Sequence, residues 1–432
     1  MDHSTNNMVQ SKIKTGHGSP KGFAHWLSKN QIALPLNLIL GIFLTHIGVP
    51  RARSLTSKFF TLSYFNPATG RYAAGPDDGY FIVFCIALFT GIRAVLMQYV
   101  LGPLARRWGI SKRKDVTRFS EQGWMLMYNS VFWSLGMYIY FNSPYFLNME
   151  ELWTNWPQRE LSKLMKGYIL AQCSYWTQQL LVVNIEARRK DYWQMIVHHL
   201  TTVSLIASAY AYHQTRVGNL ILVLMDAIEL IFPLAKCLKY LGFTTACDIV
   251  FGIFMVAWFL TRHVFYLMTC WSVYSDTPRL MPTSCYKGSA DNIQGPFSVP
   301  DGWAYLEPFR DPEGTICMND GIRFGFLGFL LLLHTVMIVW SVSIIQVAVR
   351  VLKGDNAEDV RSDEEDEEEE ELLERDESLA IEEEVGVEEI DFEVWKRRTG
   401  VKGSTRSSGF TVPGHSDRKE LLNRIGCEKQ ID

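Results

Sequence analysis

Apolar residues along this chain are gathered into blocks of about twenty, the length a bilayer-spanning helix needs, rather than spread evenly. Eight segments read as spanning helices, roughly 31–50, 79–102, 123–141, 166–185, 192–213, 217–236, 246–267 and 322–349. Lipid offers no partner for open backbone groups, so each must be helical. The predicted fold is an all-α polytopic membrane protein, its helices bundled around a lipid-binding cavity. The segment 268–321 is rich in Pro and Gly with aromatic residues between (Pro296, Pro300, Trp303, Tyr305, Pro308, Pro312), which predicts an ordered cap rather than a linker.

Charge sharpens this picture. The 432 residues include 42 Lys and Arg against 46 Asp and Glu, but the signs are segregated. From Asp355 to Asp432 there are 26 acidic and 11 basic residues, so the body is basic and the tail acidic. With 48% hydrophobic and 13% aromatic residues in blocks, a soluble enzyme is excluded. The run Asp363–Glu371 has nothing apolar to bury and reads as disordered. Ser362, just before it, has the surroundings of an acidic-directed kinase site, or is simply solvated. Basic residues gather at Lys12, Lys14, Lys21 and Lys29, at Arg106–Arg118, at Arg188–Lys190, at Lys236 and Lys239, and at Arg350 and Lys353. All fall on one side of an eight-helix alternation, so both termini are expected in the cytosol. Arg51, Arg53, Lys58 and Arg71 run against that rule. The opening block follows a polar arm of about thirty residues and does not read as a cleaved signal. Of eight cysteines, Cys285 and Cys317 share the long loop, where a bridge fits an oxidising lumen.

An ionisable residue inside a spanning helix is costly and is a functional candidate by default. The fifth predicted helix carries Asp191, His198 and His199, the sixth Asp226 and Glu229, and the seventh Arg262 and His263. Arg93 and His334 stand alone. Asp191, Met195, His198 and Thr202 form one helical stripe, with His199 rotated by about 100°. Asp226 and Glu229 share a face. Counting from the cytosolic ends, His198 and Glu229 both lie about 10 Å deep, so the histidines can meet the two acids. Arg262 is expected nearer the opposite face. Three readings fit: a hydrogen-bonded cluster joining helices, a metal site, or a histidine base or nucleophile oriented by a carboxylate. Position 195 is Met where a further metal-binding His would stand, so no metal is expected. The third reading is favoured, because neutral imidazole takes a proton near pH 7.

The run Arg189-Lys190-Asp191-Tyr192-Trp193-Gln194-Met195-Ile196-Val197-His198-His199 resembles the signature of ceramide synthases, in the TRAM-Lag-CLN8 (TLC) superfamily. Met225-Asp226-Ala227-Ile228-Glu229 resembles its continuation, and Trp258-Phe259-Leu260-Thr261-Arg262-His263 is similar to the family's Trp-x-x-x-Arg-His segment. Glu229 stands where the family usually has Asp, and Ile228 where Ser is common. The long Pro-rich loop and acidic tail resemble the filamentous-fungal branch. The resemblance implies acyl transfer from a fatty acyl-CoA to a sphingoid base, giving a ceramide or dihydroceramide in the endoplasmic reticulum membrane. His198, His199, Asp226 and Glu229 would be catalytic; Asp191, Arg189, Thr202, Trp258, Arg262 and His263 would bind substrate. Acyl-CoA is then a co-substrate, with no cofactor and no nucleic-acid partner. Membrane lipids, a homo- or hetero-oligomer and a small regulatory membrane subunit fit the same reading. The chain would divide into 1–114 (arm and first two helices), 115–353 (TLC-type membrane domain with lumenal loop 268–321) and 354–432 (cytosolic tail). The rival reading is a non-catalytic TLC-type protein that binds lipid or assists translocation.

Overall fold

The computed structural model describes residues 26–353, apart from 28, 186–190, 301, 312 and 313. The arm lysines Lys12, Lys14 and Lys21, the Arg188–Lys190 cluster with Arg189, and the acidic tail with Ser362 lie outside the described residues. A helix stands at each of the eight predicted segments. Helix α1 (Ala33–Gly48) turns through 114° into the short α2 (Arg53–Phe60). There follow α3 (Asp78–Arg107), α4 (Arg113–Phe141), α5 (Lys163–Ile185), α6 (Tyr192–Ala211), α7 (Thr215–Tyr240) and α8 (Thr244–Ser275). Two single turns, α9 (Thr277–Leu280) and α10 (Glu307–Arg310), precede α11 (Asp320–Leu352).

Among the described residues three helices are long and apolar enough to cross a membrane: α3, α8 and α11, with mean hydropathies of 2.2, 1.7 and 2.2. The bent α1–α2 pair makes a fourth if it is one span. Helices α4 to α7 do not stand out in this way because they carry polar residues, many of which are buried: Asn129 on α4, Gln172 on α5, His198 on α6 and Asp226 on α7.

Helix neighbours close a cycle. α4 packs on α7, α7 on α8, α8 on α11, α11 on α6, α6 on α5, and α5 on α4. Gly136 of α4 lets Tyr168 of α5 pack close, since a Cβ there would meet the Tyr168 hydroxyl at 2.6 Å. Outside the ring, α1 packs on α3, and α3 on α4 and α5. An ion pair ties α3 to the ring: Lys166 Nζ of α5 lies 2.7 Å from Asp78 Oδ1, both buried. Lys166 also donates to the Ser63 and Ala73 carbonyls, and the Tyr210 hydroxyl of α6 donates to Asp78 Oδ2 at 2.7 Å. Every member of that group has a partner, which a buried charge requires.

The all-α expectation is corrected in the connections, which hold two small antiparallel sheets. The first joins β1 (Phe65–Asn66), β2 (Arg71–Ala73) and β3 (Glu160–Leu161) in that order. The second has the order β5-β4-β6, from β4 (Ser284–Lys287), β5 (Gln294–Phe297) and β6 (Ile316–Met318). Cys285 faces Cys317 across β4 and β6, and the two are joined as a disulfide. Two of the basic residues that ran against the charge rule have local roles. Arg53 donates to the carbonyls of His46 and Ile47 at the end of α1, and Lys58 pairs with Asp77 at 2.8 Å.

Candidate active site

Helix α6 brings its two histidines into the ring by different routes. Thr201, Thr202 and both histidines are buried, whereas Trp193 and Leu200 on the other face are exposed. His198 borders an apolar cavity; His199 is buried beside it with ring centroids 5.3 Å apart and does not. The 100° step between successive helical residues accounts for this split. Thr202, one turn further along α6, borders the same cavity.

The cavity is narrow and partly open, and the roughly 870 Å³ of space not filled by protein atoms along it includes open solvent. Trp176, His198 and Glu229 stand at one end; Gln214, Thr277, Met318 and Arg323 stand at the other. From His198 to Ala209 its wall follows α6 for eleven residues, roughly 16 Å. Between the ends it is lined by Leu205, Ile206, Ile221, Leu222, Phe326 and Leu330, among other apolar side chains. An apolar slot of this length matches an extended alkyl chain, with His198 at one end.

The two acids of α7 part company. Glu229 borders the cavity, while Asp226 is fully buried behind it and accepts from Gln172 Nε2 of α5. Matched depth predicted direct support of the imidazoles by these acids. No such contact is made: Nδ1 of His198, Nδ1 of His199 and Oδ1 of Asp226 all lack a hydrogen-bond partner. The reason is Gln172, on a third helix, which takes the Asp226 carboxylate. Sequence reading passed over Gln172 because it counted only ionisable residues; a glutamine amide inside an apolar span is itself a signal.

Arg262 also lies elsewhere than expected. The prediction ended its helix near residue 267, which set Arg262 close to the far face. Helix α8 continues to Ser275, so Arg262 is in mid-span, in a π-helical turn over Leu260–Phe265. Its guanidinium borders the cavity and donates to the backbone carbonyls of Leu224 (3.2 Å) and Met225 (3.0 Å) on α7. Trp258 and His263 do not border the cavity. The Trp258 ring lies under Arg262, 5.2 Å from its centroid, and its Nε1 donates to Ser341 Oγ of α11. His263 Nε2 lies 2.8 Å from the same oxygen. Both tie α8 to α11 through Ser341, and Trp258 packs against Arg262. Asp191 sits at the start of α6, away from the cavity, with no side-chain hydrogen bond capping the helix. Among the described residues no group of His, Cys, Asp and Glu could hold a metal ion.

Trp176 of α5 was not foreseen. Its ring stands 5.8 Å from His198 and 5.5 Å from His199 and borders the cavity. It lies four residues after Gln172, on the same face of α5.

Residues 118–346 match the TLC domain family. The chain is 50% identical to a protein of Gibberella moniliformis named Ceramide Synthase, over 83% of this chain and 87% of that one. It is 42% identical to a Sphingosine N-acyltransferase-like protein of Alternaria alternata, over 82% and 80%. With a Sphingosine N-acyltransferase of Schizosaccharomyces pombe it shares 38%, over 74% and 75%.

Proposed function

The chain belongs to the TLC domain family and, within it, to the ceramide synthases, and on that premise we propose that His198 carries out N-acylation of a sphingoid base by a fatty acyl-CoA. It is an acyltransferase. The observation that supports this reading most is the placement of His198: a buried imidazole at one end of a long apolar slot, with Glu229 and Arg262 on the same wall.

The chemistry follows from the surroundings. A sphingoid amine is mostly protonated at neutral pH and must lose a proton before it attacks the thioester carbonyl; imidazole is the side chain to accept it. In a second route the imidazole attacks first, and the amine opens an acyl-histidine. Both routes leave the alkyl tail in the slot and the reacting carbonyl at His198. His199, packed on the same indole, positions the His198 ring. Asp226 acts at one remove, fixing Gln172. Glu229 faces the substrate and attracts the cationic amine head. Arg106, Arg107, Lys112 and Arg113, near the join of α3 and α4, attract CoA phosphates from the cytosol. All eight long helices span the membrane of the endoplasmic reticulum in this reading, with both termini cytosolic.

The test is an assay of the purified full-length protein with sphinganine and a ladder of acyl-CoA lengths, following amide product and free CoA. The reading expects both products in equal amounts; binding of acyl-CoA without turnover would favour a lipid carrier instead.

A further inference from the structure

Acyl transfer from a thioester passes through a tetrahedral adduct whose oxygen carries a full negative charge. In an apolar cavity that charge needs a donor already in place. The donors bordering the cavity can be taken in turn. Trp153 Nε1 donates to Ser272 Oγ at 2.9 Å. Arg262, in mid-span on α8, turns both terminal nitrogens to α7, to the Leu224 and Met225 carbonyls and the Met225 sulfur. Gln214, Thr277 and Arg323 stand at the far end. At the His198 end, Trp176 and Thr202 remain.

Trp176 is the stronger donor of the two. It is only 6% exposed, and its buried Nε1 has no hydrogen-bond partner. A buried N–H left without an acceptor is costly, so its acceptor is expected to arrive with a ligand. Indole is a donor only, so it takes no part as a base. The Thr202 hydroxyl, one turn from His198, also lacks a partner. Trp340 of α11 packs 5.1 Å from His198 and has a partnerless Nε1 too, but its ring does not border the cavity.

We propose that Trp176 is the oxyanion donor of this acyl transfer, its indole N–H bonding to the thioester carbonyl oxygen as negative charge develops there. The inference rests on the N-acylation reading above. The amine enters neutral, its ammonium proton already passed through His198 to water; as its nitrogen forms the C–N bond, the carbonyl π pair moves onto the oxygen held by Trp176, and a second amine proton passes to His198. On collapse the C=O bond reforms and the C–S bond breaks with its pair on sulfur. The CoA thiolate then takes the proton from the imidazolium. If His198 attacks first, the same oxyanion forms at the same place.

The experiment replaces Trp176 in the full-length protein with 3-benzothienylalanine, which keeps the ring shape and puts sulfur where the N–H was. Trp176→Phe is the companion variant. The isostere is expected to lower kcat about 10²–10³-fold, with KM for acyl-CoA and the unfolding temperature unchanged, the pattern of an interaction made only in the transition state. An isostere with wild-type kcat overturns the assignment to Trp176 and leaves the N-acylation reading standing. A wild-type protein that forms no amide from sphinganine and acyl-CoA overturns both.

Discussion

Helices α5 and α8 invert the usual relation between polarity and burial. α5 carries Lys166, Gln172, Ser174 and Gln178, and all four are at most 1% exposed. α8 is long and apolar enough to cross a membrane, yet only 17% of its most apolar window is buried inside the protein. Its Ile249, Val256, Phe259 and Trp271 are each about 60% exposed. In water that arrangement would be unstable twice over, with polar groups dehydrated and a large apolar surface wet. With lipid outside, the outer face meets a solvent as apolar as itself, and Lys166, Gln172 and Ser174 find their partners inside the protein. The contrast also tells where chemistry resides. Polar residues turned inward on α5, α6 and α7 meet at one end of the cavity, whereas the outward face of α8 carries none of it.

Several changes would break or sharpen that contrast. The largest stability effect is expected from Asp78→Ala, which leaves the Lys166 ammonium buried beside carbonyls alone. Loss of one partner of a buried ion pair costs about 3–5 kcal/mol, read as a lower unfolding temperature in detergent; an unchanged melt would show the pair to be incidental. Next is Ile253→Arg on the outward face of α8, where Ile253 is 54% exposed. A charge in mid-bilayer costs about 2.5–3.5 kcal/mol by insertion scales, so membrane-inserted protein should fall steeply while Ile253→Ala accumulates normally. Equal accumulation of the two would mean that this face is not in lipid. The smallest effect is expected from Gln172→Leu, which strips Asp226 of its donor at a cost of about 1–3 kcal/mol. Its signature is lost acyl transfer in protein that still inserts; full activity would remove Gln172 and Asp226 from the site.

Much of this architecture could be read from the chain itself. Block length located a helix at each of the eight predicted segments, although among the described residues only α3, α8, α11 and the bent α1–α2 pair are long and apolar enough to cross a membrane. The stripe through His198 and Thr202 was legible from the 3.6-residue period, and both side chains border the cavity. Asp191, on the same stripe, does not, because α6 begins beside it. What escaped notice has definite causes. Strands of two to four residues leave no periodic trace, so both small sheets were missed. Arg262 was misplaced by counting from a helix end eight residues too early. Gln172 and Trp176 carry no charge, and their importance depends on α5 lying against α6 and α7, which no local pattern specifies.

The central claim is that one histidine, chosen by its place on the cavity wall, does the chemistry. His198→Ala and His263→Ala test it as a pair, assayed for amide formation from sphinganine and acyl-CoA at equal amounts of folded protein. His198→Ala is predicted to abolish product, while His263→Ala, whose ring rests on Ser341 outside the cavity, retains most of it. Activity that survives in His198→Ala, or is lost equally in both, would contradict the account.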